Sequence, residues 1–341
     1  MGLIIVLLFC FLLTACGYKE SSASEIEGFA MGTVILQRIY HGEAKSISKK
    51  VMDRLGEIEP VMTINREGGE MNSLNQAAGS DYVKLSGETL YVLNKAKTYS
   101  ELSKGSFDVT VGPLVKAWGI YTDNQRVPEK EEINNLLNLV NYKKISINTG
   151  ESKAKLEFKG QIADLGGIAK GYAGDEAIKI YRDNGVKSAF ISLGGNVVAL
   201  GGKPDGSPWK IGVRDPRGPE GSYLGIISVK DKAVVSSGDY ERYFERDNKR
   251  YHHILDPKTG YPANSGLIGT TIISELSIDA DALSTSVFVL GLEEGLKLIE
   301  SLDGVEAILI TEDKKVYTSK GLKDVFEFTN ESKEYEYVEK R

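Results

Sequence analysis

The sequence predicts an α+β fold of interleaved helices and mostly antiparallel strands. Three observations carry this. Apolar positions recur at helical spacing in several segments, short β-branched runs are punctuated by glycine and proline turns, and the two types alternate without a regular βαβ rhythm. In chain order, Ile47, Val51, Leu55 and Ile58 form the stripe of a helix over 44–61. A second helix runs from Ser86 to Leu102, with Leu90, Leu93 and Tyr99 inward and Ser86 as N-cap. Leu156 to Phe158 reads as part of a strand. Ile168 to Asp183 reads as a helix closed by Asn184-Gly185, a left-handed stop. Five β-runs follow: Ala189 to Leu193, Val197 to Leu200, Trp209 to Val213, Leu224 to Val229 and Ala233 to Ser236. Helices at Ala280 to Leu290 and Glu293 to Leu302 precede a strand at Val305 to Thr311. The charged tail, residues 331–341, is expected to fray.

Composition narrows the function classes. The chain has 341 residues, enough for two ordinary domains or one large domain with a common core. Its formal net charge is −6, with 42 Lys+Arg against 48 Asp+Glu and no basic cluster, which argues against a nucleic-acid binder. Cys10 and Cys16 are the only cysteines, so a disulfide framework and a Cys-ligated metal site are excluded.

The N-terminus reads as an address. Residues 3–13 are an unbroken apolar run, too short to span a bilayer as a helix and suited to the h-region of a signal peptide over 1–15. The run ends in Leu13-Thr14-Ala15-Cys16, which resembles the lipobox of bacterial lipoproteins. That resemblance implies cleavage before Cys16, lipidation of its thiol and attachment to the cell membrane on the extracytoplasmic face. Residues 16–26 then serve as a polar tether to a folded body over 27–330.

Four segments offer chemistry. On a helix, Asp281 and Thr285 lie one turn apart on one face. They read either as two hard oxygen ligands suited to Mg²⁺, or as ordinary helix-start chemistry with a dipole-favoured Asp and a back-bonded Thr. Asp164-Leu-Gly166-Gly167-Ile-Ala-Lys170 is a glycine turn into a helix start. It reads as a place for close backbone approach to an anion with Lys170 as a point charge, or as a plain turn with a solvated lysine. It lacks the Walker spacing. In Tyr251-His252-His253-Ile254, adjacent histidines on a strand face opposite sides and do not readily share a metal; one suits a general base or a phosphate contact. Ser192-Leu-Gly194-Gly195-Asn196 is either a tight turn or a site where backbone meets ligand. No G-x-S-x-G elbow supports a serine hydrolase.

Singly these signals are weak, but their order is distinctive. Phe29-Ala-Met31-Gly-Thr33, Gly105-Ser106-Phe107-Asp108, the Asp164 to Tyr172 segment, Ser192 to Asn196, His253-Ile254-Leu-Asp256-Pro257 and Asp281-Ala-Leu-Ser284-Thr285 occur in this sequence. Together, over roughly 27–318, they resemble the ApbE family of FAD:protein FMN transferases. The resemblance implies a fold with the FAD and Mg²⁺ site between two subdomains. It also implies FMN transfer from FAD to a threonine hydroxyl of an acceptor protein, such as a redox-pump subunit, with release of AMP. On this sequence it assigns Mg²⁺ to Asp281 and Thr285, with Ser284 beside them and the Gly167 carbonyl as a further ligand. It assigns the FAD site to Met31, Ser106, Phe107, Asp108, Asp164, Lys170 and Ile254, and makes His253 the candidate general base or phosphate contact.

One position departs from the family pattern. Many relatives carry an aromatic where Asn65 stands, and Asn offers no π-face to a ring. An Asn65 that admits water would give a metal-dependent FAD pyrophosphatase yielding FMN and AMP. From another class comes a flavin-carrying lipoprotein without catalysis, against which the Asp281/Thr285 pair argues. A solute-binding receptor is a third reading, which would require two similar α/β lobes.

Overall fold

The computed structural model describes residues 23–120 and 122–338. The signal-peptide and Cys16 assignments, with most of the tether, lie outside the described residues. Nine strands form one sheet whose spatial order follows the sequence: Ser24–Ala30, Thr33–Ile39, Ala189–Leu193, Asn196–Leu200, Ala233–Gly238, Leu267–Ser274, Glu306–Thr311, Lys315–Thr318 and Glu336–Val338. Every neighbouring pair is antiparallel except the last, which is parallel. Ser24 to Ile26, expected in the tether, already belong to the first strand.

The rest of the fold is inserted between these strands. Residues 40–188 supply the helices Ala44–Met62, Gly87–Leu102 and Ala169–Asp183 and a small three-stranded sheet. A hairpin of Tyr243–Arg246 and Lys249–His252 precedes Leu267–Ser274, and the helices Ser277–Leu290 and Leu292–Glu300 follow it. Alternation along the central strands explains the layering. Val235, Ile272 and Leu309 face the helices, whereas Val234, Ile273 and Ile308 face the Trp209–Arg214 and Tyr223–Val229 hairpin. One apolar core, from Ile35 through Val92 and Ile145 to Leu309, ties the sheet to its long insertion.

Most predicted elements stand where the periodicity put them. Ser86 caps its helix by accepting a hydrogen bond from the Thr89 N–H, and Gly185 takes a φ of 78° just past Asn184. Two expectations are corrected. The strand around Leu156 is Lys153–Leu156, so Glu157 and Phe158 fall beyond its end. The tail does not fray through residue 338: Glu336–Val338 pairs with Lys315–Thr318, and buried Tyr335 donates from its hydroxyl to Asp215 Oδ1 at 2.6 Å.

Candidate active site

Strand ends and helix starts meet around a cleft of about 370 Å³, within the roughly 300–1,000 Å³ range of small-molecule sites. It lies between the sheet's strand ends and the inserted segment, two parts that share one core.

The helix Ser277–Leu290 begins three residues before Ala280, where the sequence pattern placed its start. Asp281 is therefore past the first turn, and a favourable dipole no longer accounts for it. The helix is buried almost all round, and Asp281, at 4% exposure, turns its carboxylate to the cleft. Oδ1 accepts from Asn196 Nδ2 at 3.0 Å and Oδ2 from the Gly171 N–H at 2.8 Å. Each oxygen keeps a further lone pair while its direction is fixed, which is how a metal-ligating carboxylate is held. Thr285 lies one turn on and lines the same cleft. A Cβ at Gly167 would stand 3.0 Å from Phe107 Cε2, a tight contact, and 3.6 Å from Thr285 Oγ1, an ordinary one, so the Gly167 backbone lies close to both. Asp281, Thr285 and the Gly167 backbone form a hard-oxygen set that fits Mg²⁺. Among the described residues no three His, Cys, Asp or Glu side chains converge on a metal, so the remaining ligands would be water and substrate oxygens.

Ser284 is not part of this set. It is fully buried behind the cleft, donating to the Asp281 carbonyl at 2.8 Å and sharing a hydrogen bond with Ser237 Oγ at 2.8 Å. Its hydroxyl is held against the strand Ala233–Gly238 through Ser237.

The glycine turn behaves as expected. Asp164 Oδ1 accepts from the Gly166 N–H at 2.9 Å, and Lys170, the second residue of Ala169–Asp183, lines the cleft. Burial raises the Asp164 carboxyl above its ordinary value. Ser106 and Phe107 line the wall beside it. Asp108 also lines the cleft, with its carboxylate tied into its own loop. Its Oδ1 accepts from the N–H and hydroxyl of Thr110 at 2.8 and 2.6 Å, and Oδ2 from the Tyr142 N–H at 3.0 Å. These bonds engage the carboxylate in shaping the loop that presents Phe107 to the cleft.

The two histidines diverge. His252 ends its strand, is buried, hydrogen-bonds the Ala263 carbonyl through Nε2 at 3.0 Å and meets Phe288 edge-on. His253 lines the cleft with Ile254. Desolvation, reinforced by His252 and the positive charges of Lys170 and Arg242, pushes His253 down to about 3. It is therefore neutral near pH 7. Its Nδ1 lies 3.2 Å from the Arg242 carbonyl, which assigns the proton to Nδ1 and the accepting lone pair to Nε2.

Met31, in the turn between the first two strands, has a φ of 54° and donates its N–H to Glu59 Oε2 at 2.7 Å. Asn65 is exposed at the rim. The sequence reading did not assign Glu59, Asn196, Ser237, Glu241 or Arg242, all of which line the cleft. Asn196 sat in a glycine turn already singled out. Arg242, which donates to the Gly32 carbonyl at 3.2 Å, carries no local signature.

Five carboxyl side chains line the cleft (Glu59, Asp108, Asp164, Glu241 and Asp281) against two cations, Lys170 and Arg242. A phosphorylated ligand would meet net repulsion unless a cation enters with it.

The comparisons agree with this geometry. The model of the ApbE family matches residues 31–309. A Treponema pallidum protein named FAD:protein FMN transferase is 35% identical over 323 residues, covering 90% of this chain and 88% of the relative. The crystal structure of the ApbE protein from Thermotoga maritima superposes with a TM-score of 0.83 at 35% identity, covering 89% of this chain and 98% of that one. Flavin transferase ApbE from Vibrio cholerae superposes with a TM-score of 0.80 at 28% identity, covering 89% and 99%. With the family's model matched across most of its length, this chain belongs to the ApbE family.

Proposed function

We propose that this chain is an Mg²⁺-dependent FAD:protein FMN transferase that moves FMN from FAD to a threonine hydroxyl of an acceptor protein and releases AMP. Family membership supports the transferase activity. The carboxyl-rich cleft carries the metal requirement, because Lys170 and Arg242 are already outnumbered by carboxyl groups before a dianionic diphosphate enters. When bound at Asp281, Thr285 and the Gly167 carbonyl, Mg²⁺ neutralises the diphosphate and helps align it.

The chain's own groups do the rest. Lys170 and the start of its helix hold the diphosphate. Phe107, Ile254 and Met31 offer apolar surface to the rings of FAD. The threonine oxygen bonds to the FMN-side phosphorus as the bond from that phosphorus to the bridging oxygen breaks, and AMP leaves with that oxygen. His253 Nε2 accepts the threonine proton, its basicity raised above the low ligand-free value by the negative charge of the bound diphosphate.

An FAD pyrophosphatase is the second reading, favoured by the exposure of Asn65 at the rim, where a small polar side chain leaves a path for water. Placing an aromatic there tests it. Asn65→Tyr should cut the release of free FMN relative to protein-bound FMN, and unchanged partition would remove the hydrolase reading. We also assign the protein to the extracytoplasmic membrane face through lipidated Cys16. Among the described residues no helix is long and apolar enough to cross a membrane. Cys16→Ser should release the protein from the membrane fraction; retention there would contradict the anchor.

Metal dependence gives the direct test of the site. Asp281→Ala should reduce FMN transfer at least 100-fold at any Mg²⁺ concentration while the protein still melts cooperatively. Full activity in that variant would overturn the assignment.

A further inference from the structure

The two helices that build the site cross at very short range. A Cβ on Gly171 would lie 2.4 Å from the Ser277 carbonyl oxygen and 2.7 Å from Asp281 Cβ, so this crossing is set backbone to backbone. At the crossing each helix lends a carboxylate to the start of the other. Asp281 Oδ2 accepts from the Gly171 N–H at 2.8 Å. In return Asp175, one turn along Ala169–Asp183, accepts from the Ser277 N–H through Oδ1 at 2.7 Å and from the Ile278 N–H through Oδ2 at 2.9 Å.

Asp175 does what an N-cap side chain ordinarily does. The residue at that place, Leu276, offers no side-chain bond although its backbone (φ −104°, ψ 133°) suits a capping residue. A local cap would stabilise the helix without tying it to anything. A cap from the neighbouring helix also fixes how the helix bearing Asp281 and Thr285 sits against the one bearing Lys170, which begins just after Gly167.

We propose that Asp175 is a positioning residue for the metal site: its bidentate hold on Ser277 and Ile278 sets the height and rotation at which Asp281 and Thr285 meet the Gly167 carbonyl. This rests on the assignment of Mg²⁺ to those three groups. Burial is the main influence on the Asp175 carboxyl, and with nearby Asp279 it outweighs Lys95 and the two N–H bonds, pushing it up to about 6. A buried carboxylate held against that cost fits a group whose geometry matters.

The test measures Mg²⁺ binding calorimetrically in the FAD-free protein, beside its thermal melt, for Asp175→Asn, Asp281→Ala and the double variant Asp175→Asn/Leu276→Ser. The proposal predicts at least tenfold weaker Mg²⁺ binding in Asp175→Asn. In the double variant the serine cap should recover melting temperature while Mg²⁺ binding stays weak, because the cap no longer comes from the partner helix. Recovery of both would show capping alone and overturn the proposal. Unchanged Mg²⁺ binding in Asp175→Asn, with binding lost in Asp281→Ala, would also overturn it. Unchanged binding in Asp281→Ala would instead overturn the metal assignment on which the proposal rests.

Discussion

His253 holds its place in the cleft as a neutral imidazole, and this has a measurable sign. Its folded-state value, about 3, lies below the ordinary 6.5, so the unfolded chain binds a proton that the folded one refuses. The stability this contributes is present above pH 6.5 and is lost as pH falls from 6.5 toward 3. Melts across that window should show stability declining with acid, and His253→Gln should flatten the slope; an unchanged slope would contradict the burial argument. Lys170→Ala, which removes a cation from a cleft already rich in carboxyls, should raise the KM for FAD about tenfold or more, equivalent to at least about 1.4 kcal/mol. At this scale the sequence was informative where spacing alone implies geometry. Asp281 and Thr285 at i and i+4 had to share a helix face, and adjacent His252 and His253 had to diverge. Ser284 and Asp108 show the limit of that reasoning. A motif brings residues near a ligand, but whether a hydroxyl or carboxylate is already engaged depends on partners such as Ser237 and Tyr142, distant in sequence.

Helix packing repeats the lesson. The stripes at Ile47, Val51, Leu55 and Ile58 and the Ser86 cap were legible because their causes are local. Ser86→Ala should cost about 1 kcal/mol in a denaturant melt. The true start of Ser277–Leu290 was not legible, because its cap, Asp175, comes from about a hundred residues away. The strand Leu267–Ser274 was also missed. It is buried on both faces, so the period-two alternation that marks a half-exposed strand is absent. Gly171 falls inside the helix predicted from Ile168 to Asp183, but nothing local marks it as the contact point of two helices. Gly171→Ala should destabilise by about 1–3 kcal/mol through overpacking and weaken Mg²⁺ binding, because the helix it would push away at Ser277 and Ile278 carries Asp281, itself in contact. A variant that melts and binds Mg²⁺ as the parent does would refute that close packing.

Over the whole molecule, one long insertion builds half of the site, and the sheet that carries the other half is closed by the C-terminal segment. The charge-rich composition of that segment suggested fraying, but Tyr335 and Tyr337 pack into the apolar cluster, and the strand pairing and one buried hydrogen bond seat it. Tyr335→Phe should cost about 1.5–3 kcal/mol, as expected for a hydrogen bond to a charged partner; an unchanged melt would mean that this hydrogen bond does not help to seat the tail. The cleft that all of this supports is too rich in carboxyl groups to take a diphosphate without a cation, and the family to which the chain belongs transfers a flavin nucleotide. The measurement that tests this most directly is the intact mass of a threonine-bearing flavin-acceptor domain after incubation with the protein, FAD and Mg²⁺. The account predicts an increase equal to one FMN phosphoester, matched by AMP, with both abolished by EDTA and by Asp281→Ala. An acceptor that stays unmodified while FAD is split to free FMN and AMP, or flavin transfer that persists in EDTA, would contradict it.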